Sequence, residues 1–150
     1  MSIIKKPSEL EPKTALKGLI YGVPGGGKTT LALSAPKPVI IDIDHGLNRV
    51  LPQYQCDSVQ VKTYDDIIDF LKEDLSAYES IVIDTAGKLV DLMCDYVAKQ
   101  PGNERLVQHD GTLQMKGWGV VKKMFRDFYK QIDLLDKNLI FVAHENEDLS

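Results

Sequence analysis

The sequence lacks long apolar runs and has few cysteines, and each absence excludes a class of protein. No stretch of the 150 residues approaches the roughly 20 apolar residues of a membrane-spanning helix. The N-terminus carries Lys5 and Lys6 but no apolar core of a signal peptide. The two cysteines, Cys56 and Cys94, have no metal-type spacing, which indicates free thiols in a reducing compartment. We therefore expect a cytoplasmic protein that does not contact a membrane.

An excess of positive charge is also absent. The net charge of −4 argues against a surface that is basic all over, so any contact with nucleic acid must come from a local patch. There are no internal repeats and no low-complexity tracts. Because Pro7, Pro12 and scattered charges stand near the start, we predict an N-terminal arm over residues 1–16 and one domain over residues 17–150.

The sequence does contain a regular alternation of apolar strands and amphipathic helices. Strands are predicted at residues 19–22, 38–44, 58–62, 80–84 and 139–143. Helices are predicted at residues 28–34, 64–75, 89–97 and 121–135, and residues 102–119 are predicted to form a long loop. This alternation favours a three-layer α/β fold with a mainly parallel sheet of about five strands. Open sheets of this type usually continue past such a last strand, so we expect a fragment or a minimal version of the fold.

Residues 22–29 match the phosphate-binding pattern G-x-x-x-x-G-K-[ST] in full, between a predicted strand and a predicted helix. Glycines adopt backbone angles closed to other residues, so that consecutive N–H groups can surround phosphate oxygens. Lys28 should reach the β- and γ-phosphates, and the Thr29 hydroxyl should ligate Mg²⁺. The alternative is a glycine-rich turn without function. The predicted nucleotide-binding residues are Gly22, Pro24, Gly25, Gly26, Gly27, Lys28, Thr29 and Thr30.

Asp84 ends an apolar strand downstream of this loop. A carboxylate at that place would hold Mg²⁺ through water and complete the metal site with Thr29. The alternative is that Asp84 caps the helix that follows. No guanine-reading Asn/Thr-Lys-x-Asp motif is visible, so the expected cofactors are ATP and Mg²⁺.

Hydrolysis also needs a group that positions and deprotonates water. The residue after Asp84 is Thr85 and not Glu, so the base is not placed there. Asp42 and Asp44 share one face of their predicted strand, because side chains alternate with period two. Asp44 lies nearer the carboxyl end, where ligands bind in open α/β sheets, and it is the candidate base. The alternative is that one or both aspartates cap the next turn.

Two polar residues stand just beyond the last predicted strand. His144 could contact the γ-phosphate and report its loss, and Glu145 is the next candidate base. The alternative is an ordinary loop histidine. The candidate catalytic residues are thus Lys28, Asp44, His144 and Glu145.

With these segments placed, the sequence resembles the RecA-like ATPase core. Residues 41–47 resemble the RecA segment in which an acidic catalytic base precedes a His, with Asp44 where RecA has Glu. Residues 81–85 resemble its Walker B strand, and residues 139–144 are similar to its sensor strand, with His144 in place of Gln. The closer resemblance is to phage nucleotide-binding proteins of RecA-core type, which act as single-strand annealing ATPases in recombination.

This resemblance implies a strand order, an activity and partners. The strand at 139–143 should lie between those at 80–84 and 19–22, and the strand at 38–44 should lie beside the one at 80–84. The implied activity is DNA-dependent ATP hydrolysis in recombination or strand annealing. Single-stranded DNA is the expected partner, with a second copy of the chain and a single-strand binding protein as further candidates, in the cytoplasm of a bacterial host.

The candidate DNA contacts fall in the region that corresponds to the first DNA-binding loop of RecA. An aromatic ring can stack on a base, and cations can meet phosphates. The alternative is a solvated helix face with the tryptophan packed in the core. The candidate residues are Lys116, Trp118, Lys122, Lys123, Arg126 and Lys130.

Two other functional classes remain open. One is a small-molecule or nucleotide kinase, although only Arg49, Arg105 and Arg126 are available for an arginine-rich lid. The other is an ATP-binding interaction module that hydrolyses little. Partition ATPases of the ParA type are disfavoured, because Val23 and Pro24 stand where those proteins carry an extra lysine. An AAA+ motor is disfavoured by Thr85 and by the lack of a following helical domain.

Overall fold

The apolar strands of the chain pair into a single parallel sheet in a computed structural model that describes residues 2–12 and 14–145. The strands are β1 (Lys17–Gly22), β2 (Pro38–Asp42), β3 (Asp57–Gln60), β4 (Ser80–Asp84) and β5 (Asn138–His144). The helices are α1 (Lys28–Ala32), α2 (Tyr64–Phe70), α3 (Ala86–Lys99) and α4 (Met115–Asp133). The strand order is β1-β5-β4-β2-β3, and every pair is parallel. The predicted fold class and strand order are confirmed.

Alternate residues of the central strands face two separate cores, as the period of two requires. The larger core contains Ile41 and Ile83 and lies under α2, α3 and α4. The smaller core contains Ile40 and Val82 and lies under α1 and the turn that follows β2. The three-layer arrangement follows from this division. It also places Asp84, two positions after Val82, on the face that carries α1.

The predicted long loop at residues 102–119 was wrong in its last part, because α4 begins at Met115. Two glycines there suggested a turn, but Gly117 is helical and buried against the preceding segment. A Cβ at Gly117 would lie 3.0 Å from Leu113 and 3.1 Å from the carbonyl oxygen of Leu106. The close packing of α4 therefore requires a glycine at this position, and the glycine does not mark a turn.

Helix α2 begins as predicted but ends at Phe70, before the predicted limit of residue 75. Its start is fixed by the Asp66 carboxylate, which accepts hydrogen bonds from the N–H groups of Lys62 and Thr63. Both bonds lower the pKa of Asp66.

The described part of the N-terminal arm contributes no buried residue, since residues 2–12 are all exposed. The division between an arm at 1–16 and a domain at 17–150 stays a prediction. Within the described ranges, no helix combines the length and apolar character needed to cross a bilayer.

Candidate functional site

The loop between β1 and α1 has the backbone expected of a phosphate-binding loop. Gly25 and Gly27 have φ of 79° and 81°, which side chains with a Cβ rarely adopt. Gly27 sits directly before α1, and its carbonyl accepts the N–H of Leu31. The Lys28 side chain folds back over the loop and donates to the carbonyl of Val23 at 2.5 Å. The lysine is 8% exposed, so its charge is held against the loop and away from bulk water.

Thr29 and Asp84 meet at the foot of this loop. The Thr29 hydroxyl donates to Asp84 Oδ2 at 2.8 Å, which joins α1 to the end of β4. Asp84 is 2% exposed, and its Oδ1 is the one buried side-chain polar atom without a hydrogen-bond partner among the described residues. Burial raises the pKa of Asp84; the Thr29 hydroxyl opposes that shift, and the Asp44 and Asp42 carboxylates add to it.

Asp42 and Asp44 do not share the environment that a continuous strand would give them. Strand β2 ends at Asp42, and the N–H groups of Ile43 and Asp44 both turn to the carbonyl of Asp84, at 2.9 and 3.1 Å. Asp42 is fully buried and accepts the N–H groups of Gly46 and Leu47. It therefore caps the next turn, which was the alternative to a catalytic role.

Asp44 is left partly exposed at the carboxyl edge of the sheet, between two cationic or potentially cationic groups. Lys88 Nζ lies 3.4 Å from Asp44 Oδ1, and His144 Nε2 lies 3.7 Å from Asp44 Oδ2. Ligand atoms of Asp44, Asp84 and His144 lie within 4.8 Å of one another. The ends of β2, β4 and β5 thus converge on one point beside the loop, because neighbouring parallel strands end at the same edge.

A cleft of about 400 Å³ covers this edge of the sheet. It joins the loop, the segment after β2, and the ends of β4 and β5. Its walls are formed by Pro24, Gly25, Gly27, Lys28, Thr29, Thr30, Asp44, Gly46, Arg49, Val50, Leu51, Asp84 and His144. The candidate base, metal and sensor residues are therefore brought together with most of the loop.

Three of the residues predicted for the nucleotide site do not line the cleft. Gly22 and Gly26 support the loop from behind, where a Cβ on Gly26 would lie 3.4 Å from the Val23 carbonyl oxygen. Glu145 is exposed, and its backbone N–H donates to the Gly22 carbonyl at 2.9 Å. That bond fixes the chain beside His144. The Glu145 side chain does not line the cleft, and a catalytic role for that residue stays a prediction.

Arg49, Leu51 and Lys88 belong to the site although the sequence analysis gave them no role in it. Arg49 and Leu51 follow the acidic end of β2, and the rule that ligands bind beyond the carboxyl ends of parallel strands could have found them. Lys88 stands in the first turn of α3, four residues after Asp84. The signal for Lys88 was weak, because only the packing of α3 places it beside Asp44.

The candidate DNA residues lie on α4, away from the cleft. Trp118 is 51% exposed, so the alternative that it packs in the core was wrong. Lys123 is tied to Asp127 at 2.8 Å on the same helix. The remaining cations are exposed and form no ion pair with any described residue. They are Lys116, Lys122, Arg126 and Lys130.

Comparison with protein families gives a match over nearly the whole chain. A family model described as an AAA domain, a P-loop NTPase family, matches residues 14–150. No curated protein matches the chain. This match does not distinguish an AAA+ motor from other ATPases, since the family is described by a domain and not by a motor activity.

Proposed function

The chain belongs to this AAA domain family of P-loop NTPases, and from that premise we propose that the cleft beside the β1–α1 loop binds ATP with Mg²⁺ and hydrolyses it. One observation carries the proposal: Lys28, Thr29 and Asp84 line one cleft, and Asp84 Oδ1 has no hydrogen-bond partner among the described residues. ATP binding and hydrolysis is what the family implies. The roles of individual residues and the link to DNA are further proposals.

The residues fit the metal as well as the nucleotide. Thr29 and Asp84 would hold Mg²⁺, since a hydroxyl and a carboxylate supply oxygen ligands and no described residue satisfies Asp84 Oδ1. When bound, Mg²⁺ neutralises the charge that develops on the phosphates. Lys28 supplies a positive charge from the loop. The positive φ angles at Gly25 and Gly27 are of the kind that lets successive N–H groups surround an anion.

Asp44 is the group best placed to accept a proton from water. Its carboxylate lies at the cleft and is not consumed by backbone hydrogen bonds, in contrast with Asp42. Lys88 lies beside one of its two oxygens, and His144 lies beside the other. The contact between His144 and Asp44 lets a change at the γ-phosphate shift His144, which is the last residue of β5.

The activity is tested by phosphate release from ATP with Mg²⁺, with and without a single-stranded oligonucleotide. Turnover that rises with the oligonucleotide supports a DNA-dependent ATPase of the phage recombination type. Turnover without stimulation supports the ATPase alone. Nucleotide binding measured by calorimetry without turnover would support the interaction module. Transfer of phosphate to a small acceptor would support the kinase.

For the DNA partner, we propose that α4 presents the binding surface. Trp118 is half exposed, and Lys122, Arg126 and Lys130 recur every four residues on one face of that helix without an ion pair among the described residues. An exposed indole beside unpaired cations suits bases and phosphates of a single strand. Helix α2 carries Asp65, Asp66 and Asp69 and would repel the phosphates.

A charge-reversal pair tests this surface by fluorescence anisotropy. Lys122→Glu with Arg126→Glu removes two phosphate contacts, so the slope of log affinity against log salt should fall by ~1.4. Lys62→Glu with Lys72→Glu changes the net charge equally, beside the acidic helix α2, and should retain the wild-type slope. Equal slopes for the two double variants would place the DNA site elsewhere.

A further inference from the structure

Two carboxylates and one imidazole meet where β2, β4 and β5 end. Asp44, Asp84 and His144 each present one ligand atom, and these atoms lie within 4.8 Å of one another. Asp84 is almost completely buried, and its Oδ1 has no hydrogen-bond partner within the described ranges. A buried carboxylate oxygen without a partner is costly unless a ligand satisfies it. A cation bound at the cluster would satisfy this oxygen.

The charges around this point fit a divalent ion. Asp44 and Asp84 together carry two negative charges, whereas the oxygens of Asp42 are already taken by two backbone N–H groups. Lys88 contacts Oδ1 of Asp44, and 54% of the Lys88 side chain is exposed. The ammonium can move into solvent when an ion enters, because no other contact holds it among the described residues.

The nitrogen donor decides the class of ion. Mg²⁺ prefers an all-oxygen shell at ~2.0–2.1 Å, whereas imidazole with carboxylates favours first-row transition ions. Ligands at that distance are ~4.2 Å apart when they lie opposite each other across the ion and ~3 Å apart when they are adjacent, so the cluster needs a contraction of up to ~2 Å. The Asp44 and His144 side chains are 24% and 37% exposed and have room to make it.

We propose that Asp44, Asp84 and His144 ligate a divalent first-row transition ion such as Mn²⁺ directly, before any nucleotide binds. The proposal deepens the proposed function, because it names the ion class of the same cleft. It differs from a Mg²⁺ that arrives with the nucleotide and meets Asp84 through water. It makes His144 a ligand that sets ion preference in the nucleotide-free state, whereas the base role of Asp44 and the sensor role of His144 belong to the nucleotide complex with Mg²⁺.

The test is Mn²⁺ binding to the full chain without nucleotide, followed by electron paramagnetic resonance. Mn²⁺ is the probe because it binds thiols weakly, so Cys56 and Cys94 do not compete. Wild type should bind one ion per chain, and electron spin-echo modulation should show a directly bound imidazole nitrogen. His144→Gln should lose the nitrogen modulation and bind Mn²⁺ at least ~10-fold more weakly. Asp84→Asn should weaken binding as well.

The chain has three histidines, which gives a matched control. His109→Gln, in the exposed segment before α4, should retain both the affinity and the nitrogen modulation. If His144→Gln fails to fold by circular dichroism, the His45→Asn/His109→Gln double variant decides, since only His144 then remains to supply the nitrogen.

Three results would overturn the metal proposal: no Mn²⁺ binding by wild type at millimolar ion, nitrogen modulation that persists in His144→Gln, or its absence in the double variant. Calorimetry of ATP with Mg²⁺ on the same wild-type sample separates the two proposals. ATP binding without Mn²⁺ binding removes only the transition-ion site. Mn²⁺ binding without ATP binding keeps the metal site and removes the nucleotide function.

Discussion

The ends of β2 and β4 lie side by side, with Asp42 directly opposite Asp84, yet the two ends differ in how their buried charge is satisfied. Asp42 accepts two backbone N–H groups and stabilises the turn that follows. Within the described ranges, one oxygen of Asp84 has a hydroxyl partner and the other has no hydrogen-bond partner. The difference teaches that burial of a carboxylate does not by itself mark a site. A buried oxygen without a hydrogen-bond partner does mark a site, because its loss of hydration costs free energy that a bound ligand would offset.

The largest expected effect concerns the positive charge that faces the end of β4. Lys28→Ala should lower turnover by at least ~10²-fold, because it removes a charge that stabilises the developing transition state. ATP affinity by calorimetry and phosphate release are the measurements. The melting temperature of Lys28→Ala should stay within a few degrees of wild type, because the substitution leaves the Asp42 contacts at the end of β2 unchanged. Wild-type affinity together with wild-type turnover would remove the nucleotide site from this cleft.

The next effect separates Asp44, which lies beyond the end of β2, from the capping Asp42. Asp44→Asn keeps the shape of the side chain but cannot take a proton from water, so turnover should fall ~10²–10⁴-fold. Affinity for ATP with Mg²⁺ should stay close to that of wild type. Single-turnover hydrolysis with a parallel binding titration checks both. If turnover changes less than threefold, roughly the scatter of such measurements, the base lies elsewhere, and Glu145 is the next residue to change.

Asp42→Asn should act on stability instead of chemistry. The amide nitrogen cannot accept a hydrogen bond, so one of the N–H groups of Gly46 and Leu47 loses its partner, which costs ~1–3 kcal/mol. Urea denaturation of this variant beside Asp44→Asn is the measurement, with an Asp44→Asn midpoint near that of wild type as the control. Full stability in Asp42→Asn would contradict the capping role.

The smallest expected effect is a gain of stability from Asp84→Asn at the end of β4, opposite in sign to the loss expected from Asp42→Asn. Burial raises the pKa of Asp84, so the folded chain binds this proton more tightly than the unfolded chain does. Stability from this group is therefore present below the unfolded pKa and is lost as pH rises through the raised, folded value. At neutral pH without divalent ions, Asp84→Asn should melt higher than wild type by a few degrees, since ~1 kcal/mol corresponds to ~2–4 °C in a chain of this size.

A pH series of melting curves for wild type and Asp84→Asn checks the sign. The difference between the two proteins should grow as pH rises from acid to neutral and then level off. Adding Mg²⁺ with ATP should reverse it, because only wild type gains the bound ligand. A variant that melts lower than wild type at every pH would show that the Thr29 contact outweighs the buried charge.

The sequence by itself determined the loop, the order of elements and the candidates for metal and base. Those features depend on local chemistry: glycines that must turn, a lysine and a threonine at fixed offsets, and apolar strands that end in aspartate. The strand order came from the resemblance to RecA-like proteins, and the pairing of β5 between β1 and β4 confirmed it. The functional role of each candidate is still a prediction, although their placement in one cleft is observed.

Only the tertiary structure decided which of two similar residues has which environment. A period of two put Asp42 and Asp44 on one face, but hydrogen bonds from Ile43 and Asp44 to the Asp84 carbonyl end the strand between them. Contacts with distant residues made this difference, and local pattern does not contain them. The same holds for Lys88 beside Asp44 and for the exposed Trp118, because the packing of α3 and α4 against the sheet sets what each helix face meets.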